Sequence, residues 1–98
     1  MFIVNKDRTQ VINMNQVTVL FIGSDECSVK VNFAAGQGCQ VARYNSHNAA
    51  AAAIELLGKS MANCDEVFFF PDDERVRTHA AEKWHHATGK KTKGHGGS

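Results

Sequence analysis

Five histidines and three cysteines carry the ligand and nucleophile chemistry of this 98-residue chain. Four of the histidines fall late, His79, His85, His86 and His95, with His47 apart. On a helix, His79, Glu82 and His86 stand at i, i+3 and i+7, a face that offers two imidazoles and a carboxylate to Zn²⁺ or Ni²⁺. A fourth ligand would have to come from elsewhere, His85 falls off that face, and the H-E-x-x-H spacing of metalloproteases is absent. The expectation is a solvated helix face, with no structural metal and no cofactor. Cys27, Cys39 and Cys64 are odd in number and widely spaced, with no C-x-x-C, the pattern of free thiols in a reducing compartment. Cys64 is followed by Asp65 and Glu66, the reverse of the electropositive setting in which reactive cysteines sit. Nothing else in the sequence marks a nucleophile with its base, so the chain reads as a non-enzyme.

Phosphate chemistry has two candidates. Gly36-Gln37-Gly38 joins two strand-like runs and opens no helix, so it offers no helix N-terminus to a phosphate and reads as a hairpin turn. Lys90, Lys91 and Lys93 could touch a nucleic-acid backbone in a salt-sensitive way without reading bases. A solubilising tail is the simpler reading of those lysines, and nucleic-acid association is the alternative. Net charge is +1, so no global field draws the chain to nucleic acid or to anionic membrane. Asp65, Glu66, Asp72, Asp73 and Glu74 crowd one short stretch. They read as a solvated strand edge and helix start, or as an electrostatic rim around an apolar binding patch.

The elements that must position these residues follow from periodicity. An apolar fraction of 43% over 98 residues permits one modest core. Phe2 to Asn5 and Val11 to Asn13 flank the polar turn Lys6 to Thr9, a short β-hairpin. Val17 to Ile22, Ser28 to Phe33 and Cys39 to Tyr44 follow in close succession with short turns, an antiparallel meander. Val29, Val31 and Phe33 point to one face of their strand. Ser46 is placed to cap an alanine-rich helix, and Gly58 or Asn63 to end it. Its stripe is Ala50, Ile54, Leu57 and Met61, expected to bury against Val29, Val31 and Phe33. Val67 to Phe70 is a last strand stopped by Pro71, with Phe68 and Phe70 on one face and Val67 and Phe69 on the other. Asp72-Asp73-Glu74 opens a second helix with the apolar stripe Val76, Ala80, Trp84 and Ala87, ending at Gly89. The domain is expected to span residues 1–89, with a disordered basic Gly/Lys tail over 90–98.

The order of these elements resembles a group of short uncharacterised proteins of Gram-positive bacteria and their phages. The resemblance rests on "FIVNKDRTQVINMNQV", the meander, and "VARYNSHNAAAAAIELLGKSM" before an apolar strand closed by Pro71, roughly residues 2 to 71. Such proteins carry an "NKDGT"-like hairpin, here Asn5 to Thr9, and an isoleucine-asparagine step, here Ile12-Asn13. A "G-x-Y-x-S/T" segment leads into their helix, here Ala42 to Ser46. Arg8 and Ala42 stand where that pattern has glycine. The resemblance implies a small β-meander capped by a helix, pleckstrin-homology-like in kind, and no activity.

The expected fold class is α+β: a four- to five-stranded antiparallel β-meander packed against one alanine-rich helix, with a second, C-terminal helix. No apolar run approaches the roughly 18–20 residues needed to span a bilayer. Met1-Phe2-Ile3-Val4 lacks the basic start of a signal peptide, so a cytoplasmic location is expected. The expected role is a small non-enzymatic protein-interaction module, an inhibitor or adaptor if the phage resemblance holds. A protein that binds nucleic acid, or one that sequesters a small ligand or metal, are the alternatives. The expected interface is Val67 and Phe69 with Val76 and Trp84 of the second helix, used by a protein partner or by a second copy in a homodimer.

Overall fold

The computed structural model describes residues 1–81 of the chain, and those residues form an α+β fold. Two short strands, β1 (Phe2–Val4) and β2 (Val11–Asn13), make the expected hairpin, with Ile3 opposite Ile12. Asn5 closes its loop: the Asn5 Oδ1 accepts the backbone N–H groups of Thr9 and Gln10 at 2.8 and 2.9 Å. Arg8, at the tip, has φ 63°, a left-handed conformation that usually belongs to glycine. Asn13 then caps a single 3₁₀ turn, Met14–Gln16.

Three six-residue strands form the meander: β3 (Val17–Ile22), β4 (Ser28–Phe33) and β5 (Gly38–Arg43). The β3–β4 turn is organised by Asp25, whose carboxylate accepts the N–H groups of Cys27 and Ser28 and the Ser28 hydroxyl at 2.6 Å. These bonds, the Ser28 hydroxyl first, hold the Asp25 carboxyl well below the usual carboxylate range. Gly38 is required by close approach, since a Cβ there would lie 2.5 Å from the Val31 carbonyl.

Helix α1 (His47–Ala62) begins at Ser46, whose hydroxyl accepts the N–H of Ala49 at 3.1 Å, and ends at Asn63. It lies against β3 and β4. Its buried face is Ala50, Ala53, Leu57 and Ser60, flanked by Ala52. Ala50 and Leu57 bury as expected, Ile54 is half-buried, and Met61 is 53% exposed. Three and four residues are equally good steps along a helix face, and in a run of alanines no large side chain marks which of them faces the core. Val29 and Val31 are fully buried beneath the helix, whereas Phe33, at the end of β4, is half-buried.

After α1 the chain forms β6 (Val67–Phe69), which pairs with β1 in parallel and not with the meander. The small strands thus make a separate sheet, β2-β1-β6, beside β3-β4-β5. A strand that returns through a helix can run parallel, which a tight turn forbids. A second helix, α2, starts at 73 and is described to 81. The Asp72 carboxylate caps it by accepting the Arg75 N–H at 2.8 Å.

Val76 corrects the sequence reading. It was expected at an interface, but it is buried in the core cluster of its own chain together with Phe70, and Ala80 packs beside it. A helix started immediately after Pro71 carries its first turns back over the core, so Val76 and Ala80 are used within the chain. The tail over 90–98, the end at Gly89, Ala87 and Trp84 lie outside the described residues.

Candidate functional site

Period-two alternation sorts the small sheet into two faces. Ile3, Ile12 and Phe68 point inward, with Ile3 fully buried. The opposite face carries two rows across the strands, Val11–Val4–Phe69 and Asn13–Phe2–Val67. Five of those six side chains are apolar. Val4, at the centre, is covered by its neighbours, but Phe2 is 47%, Val11 68%, Val67 43% and Phe69 54% exposed. The sequence-level prediction that Val67 and Phe69 share a face, opposite Phe68 and Phe70, matches this pattern. Phe2 and Val11 were not among the predicted interface residues. Their signal was the pairing register, which places both on the face of Phe69.

Arg8 reaches over the Phe69 ring, its guanidinium carbon 4.8 Å from the centroid. A cation stacked on an aromatic face holds the ring in place while leaving its far side open. Beside β6 runs a groove of about 500 Å³, with Val67, Phe68 and Phe69 as one wall and Leu56, Lys59, Ser60 and Asn63 of α1 as the other. Arg8, Pro71, Asp72 and Arg75 close one end, and Asp65 lies at the other. β6 is the outer strand of its sheet, so the groove follows an open edge. The Glu66 carbonyl accepts from Phe2 and the Phe70 N–H donates to Val4, both towards β1. In a parallel ladder these directions alternate, so the backbone groups of Val67 and Phe69 face the groove.

The acidic stretch is partly consumed by structure. The Asp65 carboxylate accepts the Ser60 hydroxyl at 2.7 Å, Asp72 caps α2, and Asp73 pairs with Lys6 at 2.7 Å. Glu66 and Glu74 are exposed.

Of the metal candidates, only His79 lies among the described residues. His79 is only 5% exposed, and its Nε2 lies 3.2 Å from Glu55 Oε1 of α1. It is buried, where a solvated position was expected. Val76, His79 and Ala80 stand at i, i+3 and i+4, so the histidine lies on the packed stripe of α2 and meets a carboxylate there. Glu82 and His86 lie outside the described residues, as do Lys90, Lys91 and Lys93. Among the described residues, no three His, Cys, Asp or Glu side chains converge to hold a metal. Cys27 and Cys39 are half-buried free thiols, and Cys64 is exposed. No helix among the described residues is long and apolar enough to cross a membrane.

The arrangement therefore presents hydrophobic surface and an unpaired strand edge. No protein-family model, no characterised protein and no solved structure matches the chain.

Proposed function

We propose that the protein is a small non-enzymatic interaction module that binds a protein surface through the outer face of its β2-β1-β6 sheet. The observation that carries this reading is the cluster of Phe2, Val11, Val67 and Phe69, each at least 43% exposed on one face of one three-stranded sheet. Scattered apolar residues on a surface are ordinary, but contiguous ones with aromatic members mark interaction sites. The polar groups around it, Arg8, Lys59, Asp65 and Arg75, suit the hydrated rim of such an interface. An inhibitor or adaptor role, of the kind a phage or prophage encodes, would use such a surface, and it rests on the sequence resemblance.

The test is cross-linked capture from host extract with wild-type protein and a Phe2→Ser, Phe69→Ser variant of unchanged circular dichroism. A protein retained by wild type and lost from the variant is expected, a second copy of the chain included. Identical retention by both baits would exclude this face.

A further inference from the structure

We draw no further inference here: the strongest candidate, the groove between the open edge of β6 and helix α1, carries nothing beyond the face already described, because nothing in the structure shows what covers it.

Discussion

Three residues occupy left-handed backbone that their side chains disfavour: Arg8, Glu26 and Cys64. Arg8 sits at φ 63° at the tip of the first hairpin, and Cys64 at φ 60° after α1. The Cys64 N–H donates to the Met61 carbonyl at 3.0 Å and the Asp65 N–H to that of Ser60 at 3.1 Å. This is the Schellman closure of a helix, whose left-handed position is normally glycine. Neither conformation was legible in the residue types, because arginine and cysteine give no turn signal. Arg8→Gly would relax the backbone but remove the guanidinium from the Phe69 ring, so its net effect mixes two terms. Cys64 is exposed and offers the cleaner case. Left-handed backbone costs a side-chain-bearing residue roughly 1–2 kcal/mol, against about 0.5–1 kcal/mol for the extra freedom glycine loses on folding. Cys64→Gly should therefore stabilise the protein by about 0.5–1 kcal/mol, while Cys64→Ala, which keeps the strain, should change stability by less than about 0.5 kcal/mol. Urea unfolding of the three proteins measures the difference, and equal stabilities would mean that the turn relaxes.

Element identity was legible wherever periodicity was strong. The hairpin, the meander strands, the Ser46 cap and the alternation of the phenylalanines follow from patterns of two or of three and four. Element placement was not. Helix α1 was read with its face through Ile54 and Met61, whereas the structure turns it so that Ala53 and Ser60 face inward with Ala50 and Leu57. The sheet beneath decides that rotation. The direction of β6 was equally hidden, since three apolar residues carry no mark of parallel or antiparallel pairing. The rotation can be checked by paired truncations. Leu57, at 3% exposure, should cost about 2–5 kcal/mol on change to alanine. Met61→Ala should fall within about 0.5 kcal/mol, because that side chain has little to lose. Chemical denaturation giving similar losses for both would put Met61 back in the core.

The two sheets and the second helix are tied together around Tyr44 and Lys6. The Tyr44 hydroxyl, buried, donates to the Pro71 carbonyl at 2.8 Å, joining the end of β5 to the segment that follows β6. Lys6 lies over the Tyr44 ring, 4.5 Å from its centroid, and donates to the Arg43 carbonyl at 2.8 Å and to Asp73 at 2.7 Å. The Lys6 N–H also donates to the Val41 carbonyl at 2.8 Å, so the hairpin is held to the meander at the same place. Separate sheets are therefore registered by one polar joint, which no local pattern announces: its members are up to 67 residues apart. Burial, with the Asp73 and Asp72 carboxylates nearby, pushes the Tyr44 phenol above its ordinary pKa of 10.0. The folded state thus favours the neutral phenol. Its pKa there is raised above the unfolded value, so the contribution is complete below pH 10 and is lost as pH rises beyond it. Stability of the wild type should fall with alkalinity above about pH 10 more steeply than that of Tyr44→Phe, which has no phenol to ionise. At neutral pH the variant should be about 1–2 kcal/mol less stable than wild type, because it leaves the Pro71 carbonyl without its donor. Lysine titration is common to both proteins, so the difference between their urea-unfolding curves at neutral and alkaline pH isolates the tyrosine. Parallel pH profiles would show that the phenol is already in water, and that the joint between the sheets is open.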